Sequence, residues 1–278
     1  MIVDSHIHLF PTKAVGETVV ENIKAESGVD YYSYGTPDEY LNDMEKSNID
    51  RAVILSFSPD NQLKNMNFWT TAITREGRNR PAKYPMFIPF ISVSPSMKGR
   101  TPIDELEHKY KWGMKGLKIH PVAQGFAPDD ERMWPVYKWM VKHELPLTAH
   151  SGINVDEKSC FGEPERWLPV LEEFKDLKLI LAHLGNGFWD QTLQIADEYP
   201  DVMFDTAIAI SHINSPTTLD KDEAVDMIRT IGADRILFGS DYPWINPQKD
   251  IEHIKSLNIS EDSKDLILGG NAVKLFNL

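Results

Sequence analysis

The sequence predicts an α/β protein, a single (β/α)₈ barrel (TIM barrel) that occupies residues 1–278 as one domain. Eight short segments are almost continuously apolar, which is typical of strands buried on both faces of a parallel sheet. Amphipathic stretches typical of helices lie between most of them. The length of 278 residues also suits such a barrel, for which ~250 residues are typical. A doubly wound open sheet is the alternative that this alternation leaves open.

The eight predicted strands follow one another along the whole chain, and six predicted helices alternate with them. A helix-start signal supports the first helix, because Thr36 offers an N-cap side chain immediately before Pro37 at the first helical position. The predicted strands are Ile2–Leu9, Ala52–Phe57, Met86–Val93, Gly116–His120, Leu145–His150, Leu177–His183, Val202–Ile208 and Ile236–Gly239, and the predicted helices are Pro37–Ser47, Pro102–Trp112, Glu131–His143, Glu165–Phe174, Phe188–Tyr199 and Lys221–Gly232.

Composition and charge narrow the class of partner. The chain carries 29 basic and 42 acidic residues, a net charge of −13, which argues against a nucleic-acid or anionic-membrane surface. A bound cation can still attract an anionic substrate locally. The sequence contains no glycine-rich phosphate loop, which argues against a nucleotide cofactor. We therefore expect a small-molecule substrate.

The number of cysteines and the length of the apolar segments indicate the cellular compartment. Cys160 is the only cysteine, so no intrachain disulfide can form, as in proteins of a reducing cytoplasm. No stretch approaches the ~18 apolar residues of a membrane span, and no signal peptide is recognisable. We expect a cytoplasmic protein, with a homodimer as the default for such a barrel.

The ends of the predicted strands carry the chemistry. His6 and His8 lie two residues apart on the first strand, so both imidazoles face the same side and can bind one metal ion. His150, His183 and Asp241 follow the fifth, sixth and eighth strands. Because barrel active sites lie at the carboxyl ends of the strands, we expect these five side chains to converge on one mouth.

Four segments together resemble the amidohydrolase superfamily, specifically its amidohydrolase-related (amidohydrolase 2) family. They are Val3–His8, Gly116–Pro121, Gly239–Pro243 and Ile267–Ala272, and the resemblance covers nearly the whole chain. It implies that His6, His8, His150 and Asp241 bind one divalent metal ion and that His183 acts beside it as an acid or base, with Asp241 also able to orient a water molecule.

Such a ligand set suits Zn²⁺ first, with Mn²⁺ or Fe²⁺ as alternatives. We expect a metal-dependent hydrolase in which metal-activated water attacks the carbonyl of an ester, lactone, amide or thioester while His183 transfers the proton. The alternative with the same site is a non-oxidative decarboxylase. The chain is short for that group, which favours hydrolysis. A metal-binding barrel without turnover and a metal-independent lactonase are further alternatives.

Three cationic or titratable side chains are candidates for substrate contact. Lys118 lies two residues before His120 on the fourth strand, so both face the same way. Lys118 suits a substrate carboxylate, and the alternative is a carboxylated lysine that bridges two metal ions, as in binuclear relatives. His120 contacts substrate or has a purely structural role. Arg166 binds an anionic group or forms a surface ion pair.

Several further residues are expected near the mouth. Asp4 lies below the His6 and His8 pair and is expected to support the ligands or the barrel floor. Asp205 ends the seventh strand and either supports a ligand or is a buried, hydrogen-bonded carboxylate, and His212 follows in the next loop. Aromatic residues of the loops line a pocket for a planar substrate or pack the barrel against its helices; they are Phe57, Phe161, Trp167, Phe188 and Trp189.

Overall fold

The computed structural model describes residues 1–75, 82–153 and 161–278, and it contains a sheet of eight parallel strands in the order in which they occur along the chain. Each strand lies within a predicted segment or within one residue of it, but the strands are only two to five residues long. They are β1 (Val3–Ile7), β2 (Arg51–Leu55), β3 (Phe87–Ile91), β4 (Gly116–Ile119), β5 (Leu147–Ala149), β6 (Leu179–Leu181), β7 (Met203–Asp205) and β8 (Ile236–Leu237).

The first and last strands meet and bring the two edges of the sheet together. The amide of Ser5 donates to the carbonyl of Phe238 at 2.8 Å, and the amide of Asp241 donates to the carbonyl of His6 at 2.9 Å. The amide of His8 then donates to the carbonyl of Tyr242 at 2.7 Å. The predicted TIM barrel is therefore confirmed, and the open doubly wound sheet is excluded.

The helices surround the barrel, and α2 matches its predicted bounds. The Thr36 hydroxyl accepts the Glu39 amide at 3.3 Å, and the Glu39 carboxylate accepts the Thr36 amide at 3.0 Å, which forms a complete capping box. The helices are α1 (Lys13–Ser27), α2 (Pro37–Ser47), α3 (Leu63–Thr74), α4 (Pro102–Tyr110), α5 (Pro121–Gln124), α6 (Trp134–Lys142), α7 (Leu168–Glu173), α8 (Trp189–Glu198), α9 (Lys221–Ile231), α10 (Pro247–Ser256), α11 (Glu261–Asp265) and α12 (Asn271–Phe276).

Two of the predicted helices begin as tighter turns, and several observed helices were not predicted. Short 3₁₀ segments precede α6 and α7, at Glu131–Met133 and Pro164–Trp167. The unpredicted α1 lies between β1 and β2, and Val20 is one of the few buried residues along it. Its apolar stripe is too narrow to give the periodicity on which helix prediction depends. Among the described residues, no helix is both long and apolar enough to span a membrane.

A glycine sets the spacing between β3 and β4. Gly116 is the register partner of Phe90, whose ring occupies the space where a side chain would begin. A Cβ atom on Gly116 would lie 2.3 Å from the ring carbon Cζ of Phe90, well inside van der Waals contact. The close approach of β4, which carries Lys118 toward the mouth, therefore depends on this glycine.

We predict that Gly116→Ala lowers the free energy of unfolding by about 1–3 kcal/mol, because the added methyl group overpacks a buried contact between strands. Gly270→Ala is the matched control, since its Cβ would lie 3.3 Å from its nearest neighbour, the carbonyl oxygen of Asp265. Denaturant unfolding of both variants measures the difference. Equal stability of the two variants would contradict the role of Gly116.

Candidate metal centre

A cavity of about 490 Å³ opens at the carboxyl ends of the strands, where the barrel rule places active sites. The five side chains expected to converge, from β1 and from the segments after β5, β6 and β8, all line it. The two β4 candidates, on or directly after that strand, line it too. The predicted site residues at this cavity are His6, His8, Lys118, His120, His150, His183 and Asp241.

The centre of the cavity is a close group of nitrogen and oxygen atoms. The Nε2 atoms of His6 and His8 lie 3.2 Å apart, and each lies 3.3 Å from Oδ1 of Asp241. Possible ligand atoms of His6, His183 and Asp241 also lie within 4.8 Å of one another. All of these side chains are buried.

Hydrogen bonds on the far side of each ring fix which nitrogen faces the centre. His8 Nδ1 lies 2.8 Å from the carbonyl oxygen of Leu55, and His183 Nδ1 lies 3.1 Å from that of Ala207. A carbonyl oxygen only accepts, so both Nδ1 atoms donate. In the neutral rings the Nε2 atoms therefore present lone pairs to the cavity.

Asp205 accepts the hydrogen bond from His6 Nδ1 and also binds the backbone at His183. Its Oδ2 accepts from His6 Nδ1 at 2.8 Å, and its Oδ1 accepts the amide of His183 at 2.8 Å and that of Ala207 at 3.2 Å. A carboxylate that orients a histidine in this way supports metal binding by the opposite nitrogen. Asp205 therefore supports the site, one of its two expected roles.

A cation would satisfy this arrangement, because converging lone pairs and a carboxylate repel one another without one. His150 gives an independent indication: its Nε2 is buried and has no hydrogen-bond partner within the described part of the chain. Its ring lies 4.9 Å from that of His183, centroid to centroid. Imidazole and carboxylate ligands fit a divalent ion such as Zn²⁺ or Mn²⁺.

Burial keeps the imidazoles neutral, as ligands must be. It lowers the pKa of His6 and His150 well below the usual value, with the Lys118 charge adding to the effect at His6 and His120 adding to it at His150. Burial also lowers the pKa of His183, although the carboxylates of Asp241 and Asp205 oppose it.

Asp241 is held in its charged form. Burial alone would raise the pKa of this carboxyl group, but the imidazoles of His8, His6 and His183 beside it outweigh that effect. The net effect is a pKa below the usual range, so Asp241 is anionic at neutral pH. An anionic oxygen beside imidazole nitrogens completes a ligand set for a divalent cation.

The backbone is unusual at two of these residues. His183 has φ = 62° and Asp241 has φ = 58°, both in the left-handed region that side chains other than glycine rarely adopt. Gly239 also allows close approach at the seam, since a Cβ there would lie 2.7 Å from Cβ of His6. Backbone conformations of this kind cost of order 1–3 kcal/mol each and cluster at functional sites.

Asp4 supports the seam between β1 and β8 rather than the ligands directly. Its carboxyl group accepts the hydroxyls of Tyr40 and Ser240 at 2.7 and 2.6 Å and the amides of Ser240 and His6 at 3.0 and 3.2 Å. Burial raises the pKa of Asp4 to about 7 despite these hydrogen bonds. The barrel-floor role expected for Asp4 matches this placement.

Two expected residues lie away from the cavity. Arg166 pairs with Glu163 at 3.0 Å and lies over the ring of Phe161, and it does not line the cavity. His212 lies 2.5 Å from the carboxylate of Asp250 on α10, also outside the cavity lining. Of the two roles expected for Arg166, this geometry favours the surface ion pair over the binding of an anionic group. Cys160 lies outside the described residues.

The aromatic walls differ in part from expectation. Phe57 lines the cavity, with its ring centroid 5.0 Å from that of His8, whereas Trp167 is buried in the core against Tyr137. Trp244 also lines the cavity, with its ring centroid 5.4 Å from that of His8, and was not predicted. Its position directly after the Asp241-Tyr242-Pro243 segment was the sequence signal that could have placed it near the site. Residues of and after α1 also reach the rim; they are Ile23, Glu26 and Val29.

The chain belongs to the amidohydrolase family, since the family model described as Amidohydrolase matches residues 3–278. A curated relative, the gamma-resorcylate decarboxylase of Polaromonas sp. (strain JS666 / ATCC BAA-500), is 24% identical over 171 residues, or 58% of this chain and 50% of the relative. The chain thus spans about half the length of the curated relatives it matches.

Solved structures share the fold. An uncharacterised TIM-barrel protein from Bordetella bronchiseptica superposes with a TM-score of 0.80 at 18% identity, covering 99% of this chain and 98% of that one. A dihydroxybenzoic acid decarboxylase from Polaromonas sp. JS666, with bound manganese and the inhibitor 2-nitroresorcinol, superposes with a TM-score of 0.74 at 18% identity. The superposition covers 100% of this chain and 97% of that one.

These relatives correct the expected reaction. Hydrolysis of an ester, lactone, amide or thioester is not supported, because the curated relatives are named decarboxylases, the alternative in the sequence-based expectation. The physical reason for the error is that a metal site of this kind serves both reactions. Chain length, used to favour hydrolysis, does not report the chemistry of the mouth.

We predict that Asp205→Asn lowers the affinity for the metal ion by about 10–100-fold, because the amide supports His6 less well than the carboxylate does. Competition with a chelator of known affinity measures this change. Asp43→Asn is the matched control, a buried carboxyl group on α2 that accepts from Tyr32 and does not line the cavity. Metal affinity that falls equally in both variants would contradict the role of Asp205.

Proposed function

We propose that this protein is a metal-dependent, non-oxidative decarboxylase of a small hydroxylated aromatic carboxylic acid. The observation that carries the proposal is its match to curated relatives named gamma-resorcylate decarboxylase. The cavity volume of about 490 Å³ is in the range of small-molecule sites, and the walls offer aromatic surface.

The residues that would hold the metal ion are His6, His8, His150 and Asp241, with one ion per chain. We propose Zn²⁺ or Mn²⁺; the manganese-bound structural relative makes Mn²⁺ as good a candidate as the Zn²⁺ expected from the ligand types. When bound, the ion supplies a Lewis acid that draws electron density from substrate oxygens.

The cavity walls orient a flat ring. Phe57 and Trp244 each meet His8 edge-on, at 82° and 73°, and both line the cavity. Aromatic side chains of this kind favour offset or edge contacts with a planar substrate.

His183 is the group placed to move the proton. Because Nδ1 donates to Ala207, its Nε2 faces the cavity and takes a proton from the hydroxyl group beside the substrate's carboxylate. His183 returns this proton to the ring carbon as the bond from that carbon to the carboxylate breaks. The bonding electron pair stays with the ring carbon, CO₂ leaves, and the product departs as a phenolate of the same net charge.

We propose a cytoplasmic enzyme that acts on a free small molecule as a homodimer. The single cysteine supports the reducing compartment, and the net charge of −13 disfavours nucleic acid as a partner. Size-exclusion chromatography with light scattering tests the dimer.

We predict that the metal-loaded protein releases CO₂ from at least one acid in a panel of hydroxybenzoates, and that chelation abolishes the release until Zn²⁺ or Mn²⁺ is restored. The reason is that the ligand side chains cannot replace the charge of the ion. Headspace CO₂ and chromatography of the phenol measure the reaction. Hydrolysis of esters or lactones without CO₂ from any acid would contradict the proposal.

We predict that His183→Asn lowers kcat by about 10²–10⁴-fold while metal content per chain stays at the wild-type level, because the proton loses its carrier but the ligands remain. Steady-state kinetics and elemental analysis measure the two quantities. His253→Asn is the matched control, a histidine on α10 that does not line the cavity. Loss of metal in His183→Asn would instead make His183 a ligand.

A further inference from the structure

Lys118 is a buried cation with no hydrogen-bond partner among the described residues. Its side chain is 1% exposed, and its Nζ makes no hydrogen bond to any described residue. An ammonium group removed from water without a partner is costly, so its retention indicates a ligand that supplies one. Burial lowers the pKa of Lys118 to about 8, against the opposing effect of Asp205 and Asp241, which leaves it mostly charged at neutral pH.

The nearby carboxylates do not act as that partner. Asp205 accepts from His6 and from two backbone amides, and Asp241 lies against the Nε2 atoms of His6 and His8. Both influence the charge of Lys118 through space, and neither accepts a hydrogen bond from it. The ammonium group is therefore attracted to these two carboxylates while its donors remain available.

His120 adds a donor whose tautomer is fixed. The amide of Ala123 donates to His120 Nδ1 at 3.2 Å, so the hydrogen of the neutral ring is on Nε2. The ring stacks on His150 at 3.8 Å with an interplanar angle of 9°. This stack holds His120 beside the metal centre, and His120 lines the cavity.

The cavity is polarised along its depth. Lys118 is the one lysine or arginine among the described residues that line it, and it is buried. Glu26 lines the same cavity and is exposed, at the rim. With the charge of Asp241 compensated by the proposed metal ion, an anionic group is attracted toward Lys118 and repelled from Glu26, so a carboxylated ring enters with its carboxylate first.

We propose that Lys118 Nζ, with the Nε2–H of His120, forms the subsite that binds the carboxylate of the aromatic acid. This rests on the proposed function for the identity of the ring, whereas carboxylate binding itself does not require turnover. Because the carboxylate loses its charge as CO₂ forms, the ammonium group stabilises the bound acid at least as well as the transition state. Its removal therefore raises KM more than it lowers kcat.

The test is binding of benzoate and of phenol, in which a neutral hydroxyl group replaces the carboxylate, to the metal-loaded protein by calorimetry. The wild type binds benzoate more tightly than phenol. Lys118→Met, which keeps the length and removes the charge, weakens benzoate about 10–100-fold and leaves phenol unchanged, as expected for a charged hydrogen bond. Lys118→Arg retains the preference, and Arg166→Met, which removes a partly buried cation outside the cavity, behaves as the wild type.

Three results would overturn the proposal. They are a wild type with no preference for benzoate, a Lys118→Met variant that weakens both ligands equally, and one that weakens neither. A lysine carbamate, seen by NMR of protein supplied with carbon-labelled bicarbonate together with two metal ions per chain, would also overturn it. Metal content of each variant is measured first, so that a lost ion is not mistaken for a lost subsite.

The same experiment separates the subsite from the proposed function. A Lys118-dependent preference for benzoate in a protein that releases no CO₂ from any hydroxybenzoate supports the subsite and overturns the reaction. Release of CO₂ with a KM that is unchanged in Lys118→Met supports the reaction and overturns the subsite.

Discussion

The architecture of the site depends on three hydrogen bonds that face away from it. The Nδ1 atoms of His6, His8 and His183 bond to the Asp205 carboxylate, the Leu55 carbonyl and the Ala207 carbonyl. These bonds turn the Nε2 lone pairs of three rings toward one carboxylate, and the resulting repulsion is relieved only by a cation. Their acceptors come from β2, β7 and the segment directly after β7, so the barrel itself sets the ligand tautomers.

The metal centre lies at the seam where the first and last strands meet. β8 contains only Ile236–Leu237. The segment after it runs beside β1 and is joined to it by backbone hydrogen bonds at His6 and His8. Asp4 strengthens the seam with four hydrogen bonds, and Gly239 permits the close approach. Closing the barrel and assembling His6, His8 and Asp241 are therefore one event, which is why distant parts of the chain act together.

The reaction is decided by groups around the ligands. A divalent ion with a neighbouring histidine can activate water or polarise a carboxylated substrate, so the ligands alone do not distinguish a hydrolase from a decarboxylase. The rings of Phe57 and Trp244 give the cavity an aromatic wall. The cavity also has a buried positive charge, on Lys118, and an exposed negative charge, on Glu26. These features support the proposed flat, carboxylated substrate.

The sequence by itself determined the eight strands, because burial on both faces leaves continuous apolar runs. It also determined the positions of the candidate site residues, because these lie at the carboxyl ends of the strands; they are His6, His8, His150, His183 and Asp241. It did not show α1, whose buried face is narrow, nor Trp244. Only the tertiary structure decided that Asp205 supports His6 across 199 residues, that Arg166 pairs with Glu163, and that Lys118 is left without a partner among the described residues. Strand patterns record the burial of each segment, whereas these contacts depend on which distant side chains the closed barrel brings together.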